Sequence, residues 1–320
     1  MQHAKIQFFS ILSLMFTTAL TSYARSNPQG NTPSNPQPGE RGSSERGLTL
    51  SLSGLEPLAN GFHYEGWAII DGMPISTGKF NVRPNGQLTG VGGAAVRNGN
   101  NFKPAATLSR TSDIVITIEA AGDRDQNPSN TKVLAGPVSN GKANLNVMNS
   151  NAIGVNFGTA SGGYILATPT DGGMNTNEKS GIWFIDSTSG MPMPGLKLPM
   201  LPGGWNYEGW VIFDGMPLTS GKFTMPNMAD FMAPFSGPAM GPPFPGEDYL
   251  QSALQGLTFP TDLSGRGVVI TVEPDPDDSE EPFRLAPLGG TVPSPAADHT
   301  FYTLQNQADM LPSGQARIVL

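Results

Sequence analysis

Residues able to do nucleophilic, acid–base or metal chemistry are sparse in this chain. There is no cysteine, which excludes thiolate catalysis, disulfides and cysteine-based zinc sites. Of the three histidines, His3 lies in the opening stretch, and neither His63 nor His299 has an acid or nucleophile at a motif spacing. Two solitary imidazoles make neither a metal site nor a triad. Carboxylates recur in matched positions, Glu65 with Glu208 and Asp71 with Asp214. Paired carboxylates can divide acid and base work when their surroundings separate their pKa values. A strand-face Glu and a turn Asp account for the same residues without catalysis.

Two further stretches have chemical potential. The acidic run Asp275 to Glu281 offers clustered oxygens of the kind calcium takes, but without the spacing and glycine of a calcium loop, and it reads as a solvated hairpin loop. Gly90 to Ala95 fits G-x-G-x-x-A, yet no strand precedes it and no helix follows, so it reads as a flexible glycine-rich loop. No residue is therefore assigned a catalytic, cofactor-binding or metal-binding role, and no cofactor is expected.

The matched carboxylates belong to a larger repeat. Tyr64-Glu65-Gly66-Trp67 through Gly78-Lys79-Phe80 returns as Tyr207-Glu208-Gly209-Trp210 through Gly221-Lys222-Phe223, at a constant offset of 143. Every difference preserves side-chain class, which marks a duplicated structural unit. Trp67 and Trp210, mid-strand in both copies, are expected in the core rather than as ligand-stacking platforms. Ile114 to Glu119 returns as Val268 to Glu273 at an offset of 154, so the second copy carries 11 extra residues between the two blocks.

Composition points the same way. Gly and Pro make up 70 of 320 residues, far above average usage, and no stretch keeps a helical period. Short alternating or apolar runs bounded by turn residues indicate strands. They fall at Leu48–Leu52, Phe62–Ile70, Ser76–Val82, Ile114–Glu119, Lys132–Ala135, Ala143–Val147 and Gly163–Ala167. Asp71-Gly72 has the chemistry of a tight hairpin turn. In the second copy, Leu196–Leu198 matches the opening strand, and Phe283–Ala286 is expected as the hairpin partner of Val268–Glu273. Phe301–Leu304 and Ala316–Leu320 are expected to close the second copy, and Gly181–Asp186 to belong to the connection or to an added edge. The fold class expected is all-β, as two tandem antiparallel β-sandwich domains spanning 47–190 and 191–320.

Residues 1–24 are expected to be a cleaved secretory signal: a mildly positive start, an apolar run from Ile6 to Leu20, and small residues at Ser22 and Ala24. Residues 25–46, rich in Pro, Asn, Gly and Ser, are expected to be a disordered tether. The mature chain should then lie outside the cytoplasm, as a periplasmic, cell-surface or secreted protein without a transmembrane segment. Net charge is −8, becoming −9 without residues 1–24. An acidic chain has no attraction for phosphate backbones, so nucleic acid is not an expected partner.

The repeated blocks resemble the extracytoplasmic C-terminal domain of anti-sigma-K factors. The resemblance is carried by Tyr-x-x-Trp-x-Ile around Trp67 and Trp210, by the Gly-x-Pro-x-Ser/Thr-x-Gly-x-Phe run ending at Phe80 and Phe223, and by Ile116-Thr117-Ile118-Glu119 followed by Leu134-Ala135-Gly136. It implies a β-sandwich outside the membrane, present here as two copies without the sigma-binding N-terminal domain. The function it implies is a non-enzymatic binding or sensor-like module for an envelope protein or a small ligand. The other reading is a structural or adhesive surface protein with β-sandwich spacers. A regulatory binder should carry a surface on one copy that the other lacks. The stretch Met225 to Gly265, with Met225, Met228, Met232, Met240, Phe231, Phe235, Phe244 and Phe259, is the candidate. The alternative for that stretch is a loop packing these groups across one end of its own sandwich or against the other copy.

Overall fold

A computed structural model describes residues 46–94, 96 and 100–319. The expected signal segment and nearly all of the expected tether lie outside the described residues. What is described is almost entirely strand and loop, with only short 3₁₀ turns as helix. The longer strands, numbered in chain order, are β1 (Gly47–Ser53), β2 (His63–Ile70), β3 (Met73–Val82), β4 (Thr111–Glu119), β5 (Lys132–Pro137), β6 (Lys142–Asn146), β7 (Ser161–Leu166), β8 (Gly181–Trp183), β9 (Trp205–Phe213), β10 (Met216–Phe223), β11 (Gly246–Asp248), β12 (Gly267–Pro274), β13 (Leu288–Thr291) and β14 (Ser313–Val319). All their pairings are antiparallel. No helix among the described residues is long and apolar enough to cross a membrane.

The repeated motif builds the same object twice. Asp71 and Gly72 (φ 51° and 81°) and Asp214 and Gly215 (φ 52° and 93°) turn β2 into β3 and β9 into β10. Both central residues lie at positive φ, where Asp is tolerated and Gly unstrained, and such turns match the twist of the flanking strands. Each hairpin carries one register shift, between Gly66 and Trp67 and between Glu208 and Trp210. A bulge placed identically in both copies is a conserved bend in the frame. On the inner face, Tyr64 stacks on Phe80 at 5.5 Å and Tyr207 on Phe223 at 5.7 Å. The tyrosine hydroxyls reach back eight residues, to the carbonyls of Glu56 (3.0 Å) and Pro199 (2.6 Å). Pro74 lies opposite Ile69 on a strand whose other side is open at that level, where a missing N–H costs nothing.

The hairpin partner of β12 lies elsewhere than expected. Phe283–Ala286 is irregular, and the partner is β13, with Ile270 opposite Leu288 and Val268 opposite Gly290. In the first copy Ile116 faces Leu134 and Ile114 faces Gly136. The offset of 154 therefore continues through the partner strand, and Leu288 corresponds to Leu134. Leu285-Ala286 imitated Leu134-Ala135 in sequence, but it lies in the incoming loop, where the Leu285 carbonyl accepts the Val272 N–H at 2.7 Å.

The largest departure concerns the closing strands. β14 does not close the second copy. It lies between β6 and β1 in the nine-stranded first sheet, with Leu48 opposite Ile318 and Ala143 opposite Ala316. Reciprocally, β7, which ends the first copy, pairs with Leu196–Lys197 and with Tyr302–Thr303 of the second copy. Both strands open on Ser-Gly (Ser161-Gly162, Ser313-Gly314) and fill the same place, between a copy's opening strand and the strand after its hairpin partner. The copies have exchanged their last strands. The boundary expected between residues 190 and 191 is thus crossed in both directions, and residues 46–320 form one compact unit. One continuous core runs from Leu48, Tyr64 and Ile116 through Tyr164 and Phe184 to Tyr207, Ile270 and Ala316.

β8 is not an edge either. It lies between β7 and β11, and Trp183 is buried. At the exchanged strand the backbones approach so closely that a Cβ on Gly163 would overlap the Tyr302 carbonyl.

Candidate functional site

The duplicated carboxylates lie on the face of each hairpin sheet opposite the aromatic stack. In the first copy Trp67 Nε1 donates to Thr117 Oγ1 at 2.8 Å, and the Thr117 hydroxyl donates to Glu119, which also accepts the Ser129 N–H at 3.1 Å. In the second copy Trp210 Nε1 donates to Thr271 Oγ1 at 2.8 Å, Thr271 donates to Glu273, and Glu273 accepts the Phe283 N–H at 3.0 Å. Beside each relay is an ion-pair chain. Lys79 lies 3.4 Å from Glu65 and 3.5 Å from Asp123, and Lys222 lies 3.2 Å from Glu208 and 2.8 Å from Asp277. Glu65 also accepts the Ser76 hydroxyl.

Trp67 and Trp210 are buried, as the core expectation had it. Their indole N–H groups anchor the relay, and burial without such a partner would carry a large penalty. Burial raises the pKa of Glu119 and of Glu208, and pushes that of Glu273 to about 8. Perturbed carboxylates in pairs are a signature of acid–base sites. Here each is buried and tied into the strand frame, so the arrangement fastens β2 to β4 and β9 to β12.

Asp71 and Asp214 are turn residues paired with Arg110 at 2.6 Å and with Arg266. His63 is buried in β2, its pKa lowered by burial first and by Lys79 second. His299 is exposed, 3.8 Å from Glu178 and 3.6 Å from Asp298. The two imidazoles share no neighbour.

The acidic run is not wholly solvated. Asp275, Glu280 and Glu281 are exposed, but Asp278 is buried and turned toward the first copy. Its carboxylate accepts the Ala59 N–H at 2.6 Å, and its carbonyl accepts the Asn60 side-chain amide at 2.8 Å. The residue caps a turn of the other copy. Among the described residues no group of three or more His, Asp or Glu is arranged to hold a metal ion. Of the glycine-rich stretch Gly90 to Ala95, residues 90–94 form an exposed turn with Gly93 N–H on the Gly90 carbonyl at 2.8 Å, and Ala95 lies outside the described residues.

The second copy holds two buried acids, Glu247 and Asp248, and a half-buried one, Asp230, that sequence reasoning passed over. Asp248 accepts the Trp183 indole N–H at 2.6 Å and the Thr170 N–H at 2.7 Å. Glu247 accepts the Ser236 hydroxyl and the Asp248 N–H at 3.1 Å, and Asp230 accepts the Gly246 N–H at 3.0 Å. Burial pushes Glu247 to about 8 and Asp230 to about 6. The one signal available was an acid pair, Glu247-Asp248, set between Phe244-Pro245 and Tyr249-Leu250.

These carboxyls set a pH dependence. Glu247 and Glu273 bind a proton in the folded state up to about pH 8, whereas unfolded glutamates have lost theirs by pH 6.5. The folded state therefore binds more protons between these limits, and stability falls as pH rises through that window. Each group contributes on the order of 1 kcal/mol per pH unit. His63 acts in the opposite sense, and only below about pH 6.5, where the unfolded imidazole gains a proton. Melting temperature is expected to drop between pH 6.5 and 8.5, and Glu247→Gln with Glu273→Gln should flatten that slope. A slope unchanged in the double variant would refute the assignment.

The stretch Met225 to Gly265 divides between its two expected fates. Phe235 and Phe259 pack with Phe213 and Tyr249, with ring centroids 5.1 to 6.0 Å apart. Phe244 packs beside Trp183. Met225, Met228, Phe231, Met232 and Met240 are exposed. In the corresponding stretch of the first copy, between β3 and β4, only Val91 among the described large apolar residues is exposed. A polar cleft of about 310 Å³, lined by Asn175, Asn177, Glu178, Lys179, Asp262 and Asp298, lies near His299. The hydroxyl of Ser180 at its wall is engaged by the Tyr249 carbonyl and the Thr261 N–H, so it offers no free nucleophile. No protein-family model, no curated protein and no solved structure matches the chain.

Proposed function

We propose that this chain is an extracytoplasmic, non-catalytic binding protein of the anti-sigma-K sensor-domain type. It acts on a protein partner in the envelope, and through that partner on control of an extracytoplasmic-function sigma factor. One observation carries the reading. Two copies share the same frame and the same polar fasteners, yet only the second presents Met225, Met228, Phe231, Met232 and Met240 to solvent. Flexible thioethers with an aromatic suit an adaptable protein contact. The test is capture of partners from gently crosslinked cells with the tagged full chain, beside a variant carrying Met225→Ser, Met228→Ser, Phe231→Ser and Met232→Ser. A stoichiometric envelope protein recovered with the parent and lost with the variant is the expected outcome. Equal recovery with both would overturn the loop's role.

A second reading, a structural or adhesive spacer, is favoured by the exchanged closing strands, which tie the copies into one unit. It predicts that the parent chain is recovered alone and that surface attachment survives in the variant.

A further inference from the structure

Methionine is ordinarily among the residues most often found fully buried, an adaptable filler of irregular core gaps. Among the described residues it is excluded from the core. All twelve methionines among the described residues are exposed, from 39% at Met216 to 95% at Met240. The buried apolar residues are Leu, Ile, Val, Ala, Phe, Tyr and Trp, with no methionine among them. The exposed set is spread over both copies: Met73 and Met148 in the first, Met174, Met191, Met193 and Met200 around the connection, Met216 to Met240 in the second, and Met310 before β14.

The sequence places them there by a local rule. Nine of the twelve are followed within two positions by proline: Met73, Met191, Met193, Met216 and Met225 directly, and Met200, Met232, Met240 and Met310 one residue further on. Proline disfavours helix in the residue before it and marks turns and strand edges, the places where a side chain is left in water. The chain has no cysteine, so methionine is its only sulfur-bearing residue type.

From this distribution we infer that the surface methionines are modification sites for two-electron oxidants, peroxides and hypohalous acids, and form a sacrificial thioether layer that the fold survives losing. In the reaction with hydrogen peroxide a sulfur lone pair attacks one peroxide oxygen. An S–O bond forms as the O–O bond breaks, the thioether is oxidised by two electrons to the sulfoxide, and the peroxide is reduced to water. With hypochlorous acid the O–Cl bond breaks and chloride and a proton leave. A sulfoxide is polar, and inside a core it disrupts packing. Here each new S=O group meets water instead.

The first experiment treats the folded chain with hydrogen peroxide and follows each methionine by peptide mass, with the urea-unfolded chain in parallel. The expected result is that all twelve sites oxidise within about fivefold of their unfolded rates, and that the fully oxidised protein melts within a few degrees of the parent. Protection of several sites by more than about tenfold, or loss of the cooperative melt on oxidation, would overturn the inference. The second experiment mixes untreated or pre-oxidised protein with an enzyme sensitive to hypochlorous acid and adds the oxidant. Untreated protein should spare the enzyme in proportion to its methionines and pre-oxidised protein should not. Equal sparing by both would remove the sacrificial role, and this comparison needs no variant that must fold.

Discussion

A chain ending at Leu311 loses its cooperative fold throughout, including the first copy some 165 residues upstream of the cut, which retains its sequence intact. β14 pairs at seven register positions with β1 and at five with β6. Its removal leaves two strand edges without ladder partners and uncovers the core beside Ala316, Leu50 and Leu145. A net contribution of about 1 kcal/mol for each lost hydrogen bond, with the exposed apolar area added, is comparable to the whole 5–15 kcal/mol by which a typical domain is stable. Urea unfolding followed by tryptophan fluorescence is the measurement. The parent should give one sigmoidal transition, the truncated chain a broad or absent one, and a peptide spanning 311–320 added in excess should restore it. A truncated chain with the parent's midpoint would show that the exchange is dispensable.

The second large effect is expected at the relays. Thr271→Val keeps the volume of the side chain and removes the hydroxyl between Trp210 Nε1 and Glu273. Both are buried, so the substitution orphans the Trp210 indole N–H and removes one hydrogen bond from Glu273, which keeps the Phe283 N–H. The orphaned donor costs about 1–3 kcal/mol and the lost hydrogen bond about 1 kcal/mol, so the expected loss is roughly 2–4 kcal/mol. The double variant Trp210→Phe with Thr271→Val should be less destabilised than the two single changes summed, because the orphaned indole N–H is gone. Thr117→Val in the first copy repeats the experiment, since Trp67 and Glu119 stand in the same relation to it. Additive losses in the double variant would show that the hydroxyl does not couple the two groups.

Much of the frame was legible because it rests on local chemistry. Asp71-Gly72 and Asp214-Gly215 specify their turns by backbone preference, and Ile114–Glu119 and Val268–Glu273 announce buried strands by apolar and β-branched content. The constant offset of 143 implied that whatever one copy did the other would repeat, down to the bulge at Gly66 and Gly209. What escaped was non-local. Ser161–Leu166 and Ser313–Val319 are readable as strands, but the sheet each joins is decided by edges more than a hundred residues away. The slip from Leu288 to Leu285 arose because a three-residue shift also placed a Leu beside a small residue, and only the ladder distinguishes the two. Asp278 was read as solvated because it sits in an acidic run, and its inward turn depends on Ala59 and Asn60, which sequence proximity does not reveal. The same holds for the site. The repeated carboxylates could be named, but that their oxygens are bound to Ser76, Lys79, Thr117 and Thr271, and so withheld from any substrate, is a matter of packing.

The reciprocal strand exchange also dictates when the molecule can fold during synthesis. A chain emerges from the ribosome amino end first, and its domains ordinarily fold as they appear. Here Leu48 pairs with Ile318, 270 positions later, so the first sheet keeps a gap between β1 and β6 until Ser313–Val319 has emerged. The loop that must close spans 270 positions, which makes folding slow as well as late. Throughout elongation the first sheet stays open and loosely held, and it becomes locked only when Ser313–Val319 arrives to fill the gap.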